Sequence, residues 1–536
     1  MFSLEFTHKM IYLNHFKGGN LLSKRDLFIK NTLLMSVVAI CMRTASVWFS
    51  IFLSKKLGED GVGLYTLIMS VSGFAVTFAT SAVGFAATRL VSEALGRSQG
   101  SSIRICMKKC ICYALFFGFS ASFLLFLPSE YIGRVLLGDQ RCVQPLRLLA
   151  VSLPAIALSS CLNGYFTAVR RVSKSAFSGI VEQMTRIFAT MGLITLFIPS
   201  DIEKACSLVV LGSVISDYLG LFINVCLYTQ DLKHHVGKTR RSLDKKVTSD
   251  MLHIALPVAF SSYIRSGLST LEHILVPKGL LKNGMSQKES LSAYGRVHGM
   301  ALQVILYPYA FLTPFCSLLV PEIAGKTAGG DMEGVKRLTG KVYSFVLAFG
   351  IGCATLMGAF SRDIGEVVYN SQGAGKYIFL LAPLVPVMYL DTATDSILKG
   401  MGEQVFCMKV NIFDSLVSVL IVFLAVPRFG IAGYIAEILF CETMNTAMSI
   451  ARLHKRTKIS INILRSVIFP SACAFLSVLV SKLILTFMGI NHVTSGGILC
   501  LSMVIYGCIY GALLCLGGII TKNDISSIRH LIKKNS

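Results

Sequence analysis

GLYTLIMSVSGFAVTFATSAVGFAATRLVSEALGR, residues 63–97, is where the reading of the chain begins, because the chain returns to it. Residues 293–326 read AYGRVHGMALQVILYPYAFLTPFCSLLVPEIAGK. Both stretches run from Gly and Tyr through an apolar span to a matching exit. Leu90-Val91-Ser92-Glu93 ends the first and Leu319-Val320-Pro321-Glu322 the second. A glycine and a basic residue follow each, Gly96-Arg97 and Gly325-Lys326. Gly164 and Gly400, and Pro199 and Pro427, recur at nearly the same offset. Four matches in order predict a duplicated helical bundle.

Composition places that bundle in a membrane. Of 536 residues, 54% are hydrophobic, and mean hydropathy is +0.66. Apolar runs of about 20 residues recur throughout, each long enough to cross roughly 30 Å of hydrocarbon. The fold class expected is therefore an all-α polytopic membrane protein. It has about 14 transmembrane helices, in two pseudo-symmetric six-helix lobes plus two C-terminal helices. The spans fall near 29–53, 63–92, 105–127, 146–168, 176–198, 206–229, 250–277, 292–320, 336–360, 376–398, 408–427, 431–452, 465–488 and 494–520. The organisation is then a tail (1–28), an N-lobe (29–230), a basic linker (231–249), a C-lobe (250–455), two further spans within 456–521, and a tail (522–536).

The net charge of +23, from 51 basic and 28 acidic residues, follows from the same topology. The tails and even-numbered loops carry more than twice as many Lys and Arg as the odd-numbered loops. The positive-inside rule then sets both termini in the cytoplasm, with the linker KHHVGKTRRSLDKK facing anionic cytoplasmic lipid. A nucleic-acid partner is not expected. Residues 1–30 lack the early apolar core and cleavage site of a signal peptide, and Met10 is an alternative start to Met1.

Chemistry-bearing residues are few. The 16 cysteines sit mostly in apolar spans, and Cys106, Cys110 and Cys112 lack zinc spacing and a nearby His, so no metal is expected. There is no P-loop, no nucleophile elbow and no HExxH, and no outer loop large enough for a catalytic domain; an enzyme is not expected, nor any cofactor. Prolines within spans, Pro154, Pro257, Pro308, Pro314, Pro383 and Pro386, predict kinks such as those of cavity-lining helices.

Charge inside the hydrocarbon is the remaining signal, since an ionised side chain at the bilayer centre costs about 2.5–3.5 kcal/mol on the insertion scale. Arg43 and Arg265 lie near mid-membrane, each in the first span of its lobe. Two such arginines suit an anionic substrate, because guanidinium binds phosphate bidentately and stays charged. A purely structural role would need a partner such as Glu182 or Glu272. Glu272 falls near one helical face with Arg265, and His273 follows it. Arg296 and His298 open the eighth span as solvated mouth residues or substrate contacts. Glu182 and Arg186, at i and i+4, are expected to pair on one helix face. Asp391, Asp395 and Lys399 repeat that spacing, with Lys399 snorkelling and Asp391 deeper. Candidate substrate contacts are thus Arg43, Arg265, Glu272, His273 and Arg296. Glu272 and Asp391 are candidates for ion coupling. Asp217, Asp414, Glu437 and Glu442 read as lone acids packed against donors of other helices, and Lys482 as a snorkelling lysine.

Several stretches carry a resemblance: KLGEDGVGLYTLIMSV (56–71), LNGYFTAVRRVSKSAFSGIVEQMTRI (162–187), YGRVHGMALQVILYP (294–308) with LVPEIAG (319–325), and PLVPVMYLDTATDSILKGMGEQ (383–404) with VPRFGIAGYI (426–435). From about residue 28 to 455 the chain resembles the stage V sporulation protein B family. That family lies in the polysaccharide-transporter branch of the multidrug, oligosaccharidyl-lipid and polysaccharide (MOP) exporter superfamily. The resemblance implies the MATE-like fold, two lobes around a cavity lined by the first, second, seventh and eighth spans. It implies a cell-membrane flippase that moves an undecaprenyl-linked glycan by alternating access, with lipid II for peptidoglycan or spore cortex as cargo. Arg43 matches the first-span arginine of related lipid II flippases. A second arginine, placed one or two turns later in relatives, is replaced here by Phe49 and Ser50. The last two spans would then hold the lipid tail. A cation-coupled multidrug antiporter predicts an acidic, aromatic-lined cavity, whereas this chain has one tryptophan, Trp48, and mid-depth arginines. A non-transporting scaffold for cell-wall synthesis enzymes predicts dispensable cavity charges. A monomer is expected on fold analogy.

Overall fold

The computed structural model describes residues 24–96, 100–169, 171–199, 201–235, 244–458, 463–488 and 495–518. The N-terminal tail with its alternative start, most of the C-terminal tail and the centre of the basic linker lie outside the described residues. Among the described residues all regular structure is helical and no strand occurs.

Helix α1 (Lys24–Thr80) joins the first two expected spans across a break at Gly58, where φ is 72° and ψ −179°. Glycine adopts that backbone at little cost, while an L side chain would strain it. Then follow α2 (Val83–Gly96), α3 (Gly100–Phe126), α4 (Val143–Ala168), α5 (Val172–Phe197), α6 (Ile202–His235) and α7 (Asp244–Lys282). The second half of the chain adds α8 (Gln287–Tyr294), a π-turn Gly295–Ala301, α9 (Tyr309–Ala328), α10 (Met332–Ala359), α11 (Gln372–Leu381), α12 (Val385–Gly400), α13 (Gln404–Phe429) and α14 (Ile431–Thr457). Helices α15 (Phe469–Phe487) and α16 (Gly496–Leu516) close the described chain.

Ten helices among the described residues are long and apolar enough to cross a membrane. The count becomes eleven if Gln287–Ile305 and Tyr309–Ala328, bent by 55°, form one span. The count of fourteen is not reached on length and apolarity alone, for two reasons. Cys41–Leu95 passes as a single run although Gly58 divides it. The expected spans 250–277 and 431–452 are helical, within α7 and α14, but their ionisable residues keep them below that apolarity. On other helices the lipid face is plain: Phe116, Phe119 and Phe123 of α3 are 66%, 61% and 64% exposed.

The described residues divide into two compact units, with boundaries between Met42 and Arg43, Leu67 and Ile68, and Gly267 and Leu268. Residues 43–67 therefore pack with the second half of the sequence, and α7 contributes to both units.

Inside each unit the duplication is visible in backbone contacts. A Cβ on Gly118 of α3 would lie 2.9 Å from Pro154 Cα of α4. A Cβ on Gly350 of α10 would lie 2.8 Å from Pro386 Cα of α12. Both prolines sit where a neighbouring glycine lets the helices approach closely. The landmark glycines behave alike: a Cβ on Gly164 would meet the Gly84 carbonyl oxygen at 2.3 Å, and one on Gly400 the Val320 carbonyl oxygen at 2.8 Å. A π-turn follows the third helix of each repeat, at Ile132–Leu137 and Ile364–Val368. Helices α15 and α16 stand outside this pattern. They dock on α10 through Tyr506 and Tyr510, whose hydroxyls donate to the Gly352 and Ala348 carbonyls at 3.1 and 2.7 Å.

Each unit also has an ion-pair knot that ties the turn after its fourth repeat helix to the end of its sixth. In the first unit Asp231, 2% exposed, accepts from Lys174 at 2.6 Å, from Tyr165 at 3.1 Å and from Arg171. In the second unit the polarity is reversed: Glu403 accepts from Arg452 at 2.8 Å and from Arg456. Removing the acid from a buried pair leaves uncompensated cations and costs about 3–5 kcal/mol. Asp231→Asn is expected to lower thermal stability by that order, and Glu403→Gln by less, since Glu403 lies at a helix end. The Arg452 hydrogen bond, with Arg456 beside it, holds the Glu403 carboxyl below its ordinary value. A depressed carboxylate stabilises the fold above its unfolded value, about 4.3 for Glu. The Glu403→Gln deficit should therefore be full at pH 7 and fade as pH falls below about 4. Thermal melts of both variants against pH check this, and an unchanged deficit at pH 3.5 would contradict it.

Candidate functional site

Most sequence-predicted site residues lie in the second unit. Arg43, half-buried on α1, reaches Gln303 through Nη2 at a long 3.5 Å, and its Nε is buried with no partner. One long contact to a neutral amide leaves the guanidinium charge without a counter-ion. Next to it, Thr44 Oγ1 and Tyr307 Oη are 3.0 Å apart. Gln303 and Tyr307 come from the chain just before α9, so the middle of α1 is fitted to the bend there.

Arg296 has a different environment. Its Nη1 donates to Glu59 Oε2 at 2.9 Å, and the second oxygen of Glu59 accepts from Ser371 Oγ. Gly373 makes room for it, because a Cβ there would lie 2.6 Å from Arg296 Cδ. Glu59 follows the Gly58 break directly, so the break aims this carboxylate. The backbones nearby touch: a Cβ on Gly63 would lie 2.0 Å from the Leu291 carbonyl oxygen, and one on Gly295 2.5 Å from that of Glu59. The openings of the two repeats, Gly63-Leu64-Tyr65 and Tyr294-Gly295, are thus where α1 crosses the start of the eighth span.

His273 and His298 are brought together, with ring centroids 4.4 Å apart. Tyr294 stacks on His298, and Tyr434 Oη lies 3.4 Å from His298 Nδ1. His298 is therefore not the solvated mouth residue expected of it; the rings of Tyr294 and Tyr434 enclose it.

The acids read as isolated are neighbours. Glu272 interacts with Asp414 and Glu437, and Ser418 lies beside Glu272 and Glu437 without making a hydrogen bond of good geometry. Asp391 interacts with Asp395 and Asp414, and Glu442 with Asp391 and Asp414. Glu437 is 3% exposed and its Oε2 has no partner; Asp391 Oδ1 and Asp414 Oδ1 are likewise buried without one. Asp395 pairs with Lys399 at 3.2 Å, as the spacing predicts. Helices α7, α12, α13 and α14 thus assemble a carboxylate cluster from residues far apart in sequence. No sequence signal links them beyond their being acids in apolar spans. Among the described residues no group of three or more His, Cys, Asp or Glu is arranged to hold a metal ion.

In the first unit, Arg186 Nη2 donates to Glu182 Oε1 and to Asp217 Oδ1, both at 3.1 Å, and its Nε donates to Ser216 Oγ at 3.4 Å. The expected helical pair exists, and Asp217 of α6 makes it a triad with one carboxylate in excess. Glu182 is thereby engaged with Arg186. Arg265, on α7, is exposed and has no ion pair or hydrogen bond among the described residues. Two residues earlier, Tyr263 meets Ser81 Oγ, which also lies 2.9 Å from Tyr113 Oη. Ser81 and Ala82 hold positive φ of 44° and 57° between α1 and α2, so these hydroxyls brace a strained turn.

Comparison with known proteins agrees with this architecture. The family described as polysaccharide biosynthesis protein matches residues 28–311, more than half of the chain. Stage V sporulation protein B of Bacillus subtilis is 26% identical over 449 residues, covering 82% of this chain and 86% of that protein. The lipid II flippase MurJ of the same organism is 19% identical over 401 residues, 70% of this chain and 73% of its own. Among solved structures, a lipid II flippase MurJ in an inward closed conformation superimposes with a TM-score of 0.70 at 12% identity. The match covers 91% of this chain and 99% of that one. An inward-facing MATE transporter of the MOP superfamily gives a TM-score of 0.63 at 11% identity, over 79% of this chain and 98% of its own. This chain is a multi-pass membrane protein that belongs to the polysaccharide biosynthesis protein family, and its fold is that of the MurJ and MATE structures.

Proposed function

We propose that the protein is a flippase without enzymatic activity, which carries a lipid-linked glycan precursor across the cytoplasmic membrane by alternating access, with lipid II as cargo. The observation that carries this reading is the state of Arg43. A half-buried guanidinium in an apolar span, with one long amide contact and a buried N–H lacking a partner, favours an anionic ligand such as a diphosphate. Arg265, with no ion pair or hydrogen bond among the described residues, is likewise assigned to anion binding. Both termini are placed in the cytoplasm, and the polyprenyl chain stays in lipid, with α15 and α16 as its neighbours.

Arg296 takes another role. With its charge matched by Glu59, it serves in closure of the outer side rather than in holding the diphosphate. Glu272 and Asp391 are the acids assigned to ion coupling, within the carboxylate cluster of the second unit. A membrane potential of 100 mV supplies about 2.3 kcal/mol per charge moved, enough to bias a cycle that returns the empty carrier. His273 is adjacent to that cluster and to His298, which supports a part in proton movement rather than in cargo contact. Glu182 and Arg186, with Asp217, are assigned to the structure of the first unit.

The test is rescue of cells depleted of their own lipid II flippases, read as lipid II exposed on the outer surface. Restored exposure by the wild-type chain supports the reading. A well-inserted wild type that restores none shifts the cargo to another polyprenyl-linked glycan. Rescue of drug resistance alone would replace the reading with the antiporter.

A further inference from the structure

The second unit holds a pocket of about 390 Å³ whose wall includes Asn283, Glu289, Ala293, Arg296 and Tyr377. It lies in the turn from α7 to α8 and against α11. The volume is near the lower end of the roughly 300–1,000 Å³ of small-molecule sites, too small for a polyprenyl chain. We infer that this pocket is a carbohydrate subsite, which takes the hydroxyl or amino groups of a sugar unit and rejects phosphate.

Charge in the wall decides the class of ligand. The Arg296 guanidinium is paired with Glu59 at 2.9 Å, so it brings no free positive charge to the pocket. Glu289 has no such cation. Its Oε2 accepts from Ser286 N at 2.9 Å and Ser286 Oγ at 2.8 Å, in the capping box that starts α8, and Oε1 has no partner among the described residues. Asn283 spends its Nδ2 on the Pro427 and Arg428 carbonyls at 3.1 and 3.2 Å, which fixes the amide orientation and leaves Oδ1 as an acceptor. Tyr377, 8% exposed, adds an aromatic side chain to the wall. The wall therefore offers acceptors around one uncompensated carboxylate, beside the Arg296 N–H groups that Glu59 does not use, of which Nε is buried without a partner. Such a wall pairs with O–H and N–H donors and repels an anion. A diphosphate would meet like charge; a sugar meets the donors and acceptors it needs.

The inference rests on the glycan reading above and separates two duties within it. The diphosphate belongs with Arg43, and the sugar with a pocket that has no spare cation. On the proposed topology the pocket lies toward the outer surface, where a translocated head group would arrive.

The experiment uses the full chain in lipid nanodiscs and saturation-transfer NMR with N,N′-diacetylchitobiose as probe and inorganic pyrophosphate as competitor. Transfer to the disaccharide is expected in wild type, undiminished by pyrophosphate. Glu289→Gln keeps the capping box but removes the charge, and should weaken binding about ten-fold, as loss of one charged hydrogen bond does. Ala293→Trp fills the pocket and should abolish transfer. Absence of transfer in wild type, displacement by pyrophosphate, or full binding by Ala293→Trp would each overturn the inference. Lipid II exposure in the rescue assay is read separately. Transport without disaccharide binding removes the subsite and keeps the flippase; binding without transport does the reverse.

Discussion

Arg43→Ala is expected to abolish glycan transport while leaving the protein at least as stable as wild type. The two effects have one cause. A guanidinium in an apolar span with no counter-ion costs about 2.5–3.5 kcal/mol in the empty protein. Only a ligand can return that energy, through charge-assisted hydrogen bonds to phosphate oxygens. Truncating one partner of a buried charge pair costs about 2–5 kcal/mol of binding, or 30-fold and more in affinity. Rescue of lipid II exposure should fall by that factor at matched membrane levels. The melting temperature should rise or hold, because Gln303 loses only a 3.5 Å contact. Arg43→Lys should retain part of the activity, since Lys keeps the charge and loses the bidentate fork. A structural arginine would behave in the opposite way, with stability falling and transport following it. Arg265→Ala is the companion test, with the same expected signs. If both variants transport as wild type does, these arginines are not the phosphate site.

Gly63→Ala is expected to do comparable damage for a steric reason. The new Cβ would lie 2.0 Å from the Leu291 carbonyl oxygen and 3.3 Å from Gly295 N. The obstacle is backbone, so no side-chain rotation relieves it, and the helices must separate. Gly295→Ala meets the Glu59 carbonyl oxygen at 2.5 Å and should act alike. Separation would also pull Glu59 from Arg296 and Ser371. In a transporter that closes and opens its outer side, such a change depopulates the closed state without unfolding the bundle. The measurement is cysteine cross-linking between Glu59→Cys and Arg296→Cys in a background free of other cysteines. Cross-linking should be efficient with Gly63 and largely lost with Ala at 63, and transport should fall with it. Gly73→Ala is the control, because nothing lies within 4 Å of a Cβ there. Wild-type cross-linking and transport in Gly63→Ala would show that the close approach is not part of the cycle.

The acid clusters mark how far one sequence can be read. Glu182 and Arg186 are neighbours by helical spacing alone, and the structure pairs them at 3.1 Å. Asp395 and Lys399 pair by the same rule at 3.2 Å. Asp217, Asp414, Glu437 and Glu442 read as solitary because their partners lie on other helices, and helical periodicity holds no information about which helices touch. Glu59 was unremarkable in sequence for the same reason. Its partners, Arg296 and Ser371, come from far along the chain, and only the Gly58 break turns it toward them.

The sequence by itself determined the membrane setting, the helical class, the internal duplication and the arginine within the first apolar span. Each is local or periodic: apolar run length, a repeated segment, a charge within a hydrophobic window. The tertiary structure alone decided which charges are matched across different helices. Arg296 is neutralised by Glu59, Arg186 by two carboxylates, and Arg43 by nothing stronger than an amide. It also placed residues 43–67 with the second half of the chain, although they precede it by hundreds of residues. The physical reason is that pairing depends on distance in space. In a bundle of long helices, a crossing such as Gly63 against Leu291 sets that distance through backbone contact, and side-chain pattern carries no trace of it.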